Sequence, residues 1–341
     1  MNPKSVWIGL VHILLLAGRP AGAAFPAPDI DGLILEGQQL TLSGQYAEAL
    51  RAFAEVLRLR PSHPAGYFYQ AAVWERWMED EQDDSAVERF YASADSAIYA
   101  GERLVGSGTI DPWVYTFLGA AYGIKGVREA LQGRWWAALR DGWRGVGRLR
   151  KAVSTDPGLG DAYVGIGTYM YWRSRLTKEV LRVPIVKDER EEGIRLLRIA
   201  SEQSRYSQTA ARCQLVWILI KEERFTEASE IAQPLYAAYP QSSVVIFGCG
   251  AARLGAGDLV QAEKVYSEAL QLYEDKERPH PFALECRWGL AKIYFRQNEM
   301  SKAESQCRWI LEHNRELGER GWSRGKLRQV GKLLKETKAA E

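Results

Sequence analysis

Between Ile30 and Pro61 apolar and small residues recur at helical spacing in two runs. The first is Leu33, Gly37 and Leu40; the second is Tyr46, Ala49, Phe53 and Val56, and Gly44-Gln45 lies between them. This spacing predicts two short helices joined by a tight turn. Small residues at Gly37 and Ala49 let the antiparallel pair approach closely, while the large residues fill the space around that contact. Pro61 stops the second helix. The same phase restarts near Pro64, Pro112, Gly160, Thr209, Ser243 and Leu284. It is marked by Leu118-Gly119 with Tyr122, Ile166-Gly167 with Met170, Leu215 with Phe225 and Ala228, Gly250 with Ala262 and Tyr266, and Leu290-Ala291 with Ala303. A pattern that repeats over tens of residues predicts an all-α chain built by stacking one unit on the next.

These residues resemble the tetratricopeptide-repeat family, and the resemblance runs over nearly the whole chain from residue 24 to 341. It implies an all-α fold, a right-handed α-solenoid of about seven helical hairpins. Successive starts are 34, 48, 48, 49, 34 and 41 residues apart, so three central hairpins are enlarged. The extra residues read MEDEQDDS in the second, a lengthened second helix in the third, and YWRSRLTKEVLRVPIVKDEREEG in the fourth. The central spacing, with DAYVGIGTYMYW leading to DEREEGIRLL, also resembles the tetratricopeptide family of the yeast inclusion-body clearance protein; no functional residue is carried over from it. A basic amphipathic segment, 320–338, suits a terminal helix that covers the last exposed edge.

The chain opens differently. Lys4 precedes an apolar run from Val6 to Ala17, and small residues follow at Ala21-Gly22-Ala23. That order is the one expected of a secretory signal peptide, and the run is too short for a spanning helix. Cleavage near Ala23 would place the remainder in the periplasm or outside the cell, an exported bacterial type of the family. The alternative is a short anchor left uncleaved.

Of the chain's 45 basic and 43 acidic residues, Lys4 and Arg19 fall within the expected leader. What remains is balanced and gives no reason to expect nucleic acid as a partner. Charge is nevertheless blocked: Met78–Asp95 is acidic and Ile124–Lys151 basic, as expected if adjacent repeats offset one another. Cys213, Cys249, Cys286 and Cys307 match no metal or redox spacing and sit in apolar helical patterns. They are expected to be buried free thiols.

In the family the first helix of each hairpin lines a concave groove. The corresponding positions here are Phe68, Trp113, Tyr171, Trp172, Trp217, Phe247, Trp288 and Phe295. An aromatic groove with few charges suits a protein or peptide partner, or stacked sugar rings. The competing reading is that these rings bury one another. The Lys and Asn with which some family members grip a terminal carboxylate are replaced by Ile34, Gln38, Phe68 and Ala72. A second stripe, Trp136, Arg140 and Trp143, lies at i, i+4 and i+7 in GRWWAALRDGWRG and faces outward in a regular hairpin. The inserted segments around 78–86 and 172–192 are expected to cover it. The glycines in that stretch, costly in a helix, imply close contact with a neighbour. In residues 173–187 basic residues alternate with apolar ones; a helix packed on the solenoid is expected there, with contact to a membrane surface as the alternative.

No phosphate loop, metal spacing or nucleophile elbow is present, and the inward acids Glu75, Asp161 and Glu285 belong to different repeats. No cofactor and no catalysis are expected. The reading is a non-enzymatic interaction scaffold of the cell envelope, with a glycan- or peptidoglycan-binding protein as the alternative.

Overall fold

The computed structural model describes residues 28–180, 187–274, 280–317 and 321–340; the expected leader, residues 1–23, lies outside them. Among the described residues there are fifteen α-helices and no strand. The first eight are α1 (Pro28–Leu42), α2 (Tyr46–Leu59), α3 (Pro64–Glu81), α4 (Val87–Gly106), α5 (Pro112–Leu131), α6 (Trp135–Thr155), α7 (Gly160–Arg175) and α8 (Arg190–Gln203). The rest are α9 (Gln208–Lys221), α10 (Phe225–Ala238), α11 (Ser243–Ala256), α12 (Leu259–Glu274), α13 (Pro281–Arg296), α14 (Met300–His313) and α15 (Arg324–Ala340). Within each unit the helices pair as hairpins in chain order, as in an α-solenoid.

The described residues fall into two compact units. The first holds residues 28–78 and 84–218; the second holds 219–340 together with 79–83. The first is self-contained because its opening helix is tied to its last loop. Asp31 on α1 is hydrogen-bonded to Arg205 and to the Tyr206 hydroxyl, and Gln38 Nε2 donates to the Tyr206 carbonyl at 3.1 Å.

The turn between paired helices has one recurrent backbone feature. Gly44, Gly133 and Gly257 have φ of 74°, 77° and 84°, and Gln82, Glu223 and Asn298 adopt the same left-handed region at the matching turns. The glycines take this conformation without steric cost. The close helix contact expected within GRWWAALRDGWRG lies between α5 and α6. A Cβ on Gly145 would sit 2.8 Å from the Gly119 carbonyl oxygen, and one on Gly126 would sit 3.2 Å from both the Ala138 oxygen and the Gly142 nitrogen. The two backbones touch where side chains would otherwise hold them apart.

The acidic and basic blocks meet in adjacent hairpins. Asp95 pairs with Lys125, and Asp84 pairs with Arg128 at 2.7 Å. Arg128 is itself buried against Glu75 at 2.8 Å. Burial pushes the Glu75 carboxyl up, with the Arg128 charge opposing it. In the second unit α15 closes the last hairpin: Val330 and Leu333 join Leu284, Ala291, Cys307 and Ile310 in one apolar cluster. All four cysteines are free and buried, and burial pushes the Cys213 thiol up to about 12.

Candidate partner-binding faces

In the first unit four of the five inward aromatic positions are buried among other rings. Phe68, Trp113, Tyr171 and Trp172 are all buried. Trp113 meets Tyr206 edge-on at 5.2 Å and stacks on Phe117 at 6.0 Å, and Phe117 in turn lies 5.8 Å from Phe68. Tyr171 and Trp172 cross at 5.1 Å. Tyr206, from the loop between α8 and α9, is the plug. Asp161 at the start of α7 accepts from the backbone N–H groups of Arg205 and Tyr206 at 2.7 and 2.9 Å. Burial pushes the Asp161 carboxyl up, and those two N–H groups oppose the shift. Asp31 is desolvated too, but its bonds to Arg205 and Tyr206 outweigh that and lower its pKa. These four groove aromatics are therefore core, and offer a partner no surface.

Trp217, on the last part of α9 belonging to the first unit, is half-buried. So are the inward aromatics of the second unit. Phe247 lies 4.9 Å from Phe282 and 6.3 Å from Tyr273, which occupies one side of its ring. Trp288 and Phe295 pack only in part against the α13–α15 cluster. On α13 they share a stripe with Glu285 and Lys292, the four residues falling at i, i+3, i+7 and i+10. The Lys292 ammonium stands 5.4 Å from the Trp288 ring centre. Burial lowers its pKa to about 8, with the Glu285 charge opposing. Glu285 is bonded to Lys326 of α15, whose ammonium lies 3.8 Å over the Trp322 ring.

The second stripe is not covered. Trp136 is 87% exposed and Trp143 70%, with Leu139 between them at 57%. Arg140 is also exposed, its guanidinium held by Asp141 at 2.9 Å. The described parts of the expected covers make other contacts. The 78–86 stretch lengthens α3, forms a single 3-10 turn at Asp84–Ala86 and directs Asp84 to Arg128. The fourth-hairpin insertion turns back on the end of α7 through a π-helical turn, Leu176–Val180. There the Glu189 N–H donates to Ser174 Oγ at 2.9 Å, and Arg173 pairs with Glu189. Residues 181–186, which carry most of that insertion's apolar side chains, lie outside the described residues.

The inward carboxylates are each engaged: Glu75 by Arg128, Asp161 by backbone N–H groups, Glu285 by Lys326. Among the described residues no group of three or more His, Cys, Asp or Glu could hold a metal ion.

A tetratricopeptide-repeat family model matches residues 43–76 and 250–311. No curated protein is similar to the chain in sequence. Among solved structures, the Cut9–Hcn1 hetero-tetramer of the APC/C is similar over 89% of this chain, at 13% identity and a TM-score of 0.51. The yeast Tom70 structure is similar over 99% of this chain and 69% of its own, at 12% identity and a TM-score of 0.41. A tetratricopeptide repeat protein from Parabacteroides merdae is similar over 91% of this chain and 98% of its own, at 12% identity and a TM-score of 0.34. The chain spans about half the length, 55%, of the Cut9–Hcn1 chain it matches.

Proposed function

We propose that this chain, which belongs to the tetratricopeptide-repeat proteins, is a non-enzymatic scaffold of the cell envelope that holds a protein partner on the inner face of its second unit. Scaffolding of protein partners is what stacked helical hairpins of this kind are built for: each hairpin adds a rigid helix face to a continuous surface. The observation that carries the assignment is the contrast at equivalent positions. Phe68, Trp113, Tyr171 and Trp172 are buried, whereas Trp217 at the end of the first unit and Phe247, Trp288 and Phe295 of the second keep part of their rings in water. Half-exposed aromatics flanked by the cation of Lys292 and the carboxylate of Glu285 are the kind of anchor that protein interfaces use. The envelope location rests on the signal-peptide order of residues 1–23.

A photo-crosslinking residue placed at Trp288 tests the assignment in envelope extract. A discrete protein adduct is expected at position 288 and none at Trp113. Adducts at neither position would remove the inner face as the partner site. The glycan alternative uses the same half-exposed rings, and predicts a change in tryptophan emission on titration with peptidoglycan fragments. A protein adduct at 288 with no emission change at millimolar sugar would leave the protein-partner reading alone.

A further inference from the structure

The outward face of α6 has no part in the partner site just described. We propose that it seats the protein on an anionic phospholipid bilayer, with the indoles of Trp136 and Trp143 at headgroup depth.

Three observations converge on that occupant. The first is the shape of the surface. Trp136, Leu139 and Trp143 protrude from a single helix, exposed at 87%, 57% and 70%. At Gly147, the next position on the stripe, an added Cβ would meet nothing within 4 Å. A folded partner buries its anchors in pockets; a ridge that stands proud suits a soft plane that deforms around it.

The second is charge. From Arg134 to Thr155 the helix and its N-cap carry six basic residues and one acid, Asp141. That acid is buried, 2% exposed, and bonded to Arg140. The neighbouring acid of α4 that reaches this helix, Glu102, is taken by Arg148 at 2.7 Å. Arg144 lies over the Tyr122 ring. Arg150 and Lys151 are exposed and form no ion pair among the described residues. Arg134 is likewise paired, with Glu129 of α5, so Arg144, Arg150 and Lys151 are the cations this face presents without a carboxylate partner among the described residues, the complement of a phosphate-rich surface.

The third is the residue type. Tryptophan, with an apolar body and one N–H donor, concentrates at membrane–water boundaries, and cations beside an apolar helix face reinforce that placement. Among the described residues no helix is long and apolar enough to cross a membrane, so the contact is with the surface.

The test uses the full chain carrying Leu139→Cys labelled with a polarity-sensitive fluorophore. The native thiols are buried and free, so labelling is confined to the ridge, and the signal does not report on residues 1–23. With vesicles of phosphatidylcholine and phosphatidylglycerol at about 7:3 the emission should shift to the blue. With phosphatidylcholine alone, or at about 1 M salt where charge is screened, the apparent affinity should fall tenfold or more. Trp136→Ala with Trp143→Ala should abolish the shift, and Arg150→Gln with Lys151→Gln should weaken binding several-fold. All four positions are exposed, so unchanged circular dichroism and melting are expected and show that the fold is intact. No shift with anionic vesicles overturns the proposal. So does an equal shift on neutral vesicles, or a shift seen only with a lipid-free protein extract, which would make the ridge a protein-docking surface. A crosslink at Trp288 is independent of all these outcomes, so the two assignments can fail separately.

Discussion

The two units place the same residue types at the same positions of the hairpin and use them in opposite ways. In the first unit Tyr206 closes over Trp113 and Phe117, Tyr171 and Trp172 bury each other, and the exposed tryptophans Trp136 and Trp143 are on the outer face of α6. In the second unit the inward rings stay half-buried, beside Lys292 and Glu285. The difference comes from one closure. The Arg205–Tyr206 segment, fixed to Asp161 and tied to Asp31 and Gln38 on α1, converts a groove into a core. An aromatic inner face is thus a binding surface only where the chain leaves it open.

Substitutions at matching positions sharpen that contrast. Trp113→Ala removes a buried ring that touches both Phe117 and Tyr206, and should cost about 3–5 kcal/mol in denaturant unfolding. Trp288→Ala, which removes a half-buried ring, should cost less, about 1–2.5 kcal/mol, while lowering partner crosslinking from neighbouring positions. Equal costs at the two sites would erase the distinction. Ion pairs should divide in the same way. Arg128→Ala leaves Glu75 buried without its partner and should cost about 3 kcal/mol or more. Lys326→Ala in the second unit breaks a part-exposed pair and should cost about 0–1 kcal/mol.

The first unit should also carry an acid sensitivity. Burial, followed by the Arg60 charge, lowers the pKa of His63 to about 4. The unfolded imidazole binds its proton from about pH 6.5 downward, and the folded one only near pH 4. The unfolded state therefore gains protons first, and stability should fall as pH drops from about 6.5 to 4, by an amount on the order of 3 kcal/mol. Urea midpoints measured across that window should lose this slope in His63→Leu. The smallest expected effect is at the ridge: Trp136→Ala and Trp143→Ala should each change stability by about 0.5 kcal/mol or less.

Much of the fold was legible in the sequence because it rests on local spacing. The small residues at Gly37, Gly119, Gly145 and Gly167, and the prolines that open α3 and α5, set helix phase and hairpin boundaries over a few turns. The helices begin at Pro28, Pro64, Pro112, Gly160, Gln208, Ser243 and Pro281, close to the predicted starts. The site was far less legible. Whether Trp113 is wet depends on Tyr206, and Tyr206 is held by a residue 175 positions away in the chain. Helical periodicity reports which face a side chain is on, but not which distant loop covers that face. The same gap explains Trp136 and Trp143. Their outward phase followed from i, i+4, i+7 spacing, while of their expected cover Asp84 is drawn to Arg128, Glu189 is bonded to the end of α7, and residues 181–186 lie outside the described residues. Nothing in the sequence singled out Arg205–Tyr206 beforehand; a cation and an aromatic in a short interhelical loop, rich in hydrogen-bonding groups, was the one available hint.

Tryptophan exposure runs opposite ways on the faces of the two units. Fluorine NMR of fluorotryptophan-labelled protein with a soluble paramagnetic quencher reads it site by site, each signal assigned by single Trp→Phe replacement. The expected order is strong broadening at Trp136 and Trp143, intermediate broadening at Trp288, and none at Trp113 or Trp172. Broadening of Trp113 to the level of Trp136 would contradict the closure of the first unit, and with it the assignment of partner binding to the inner face of the second.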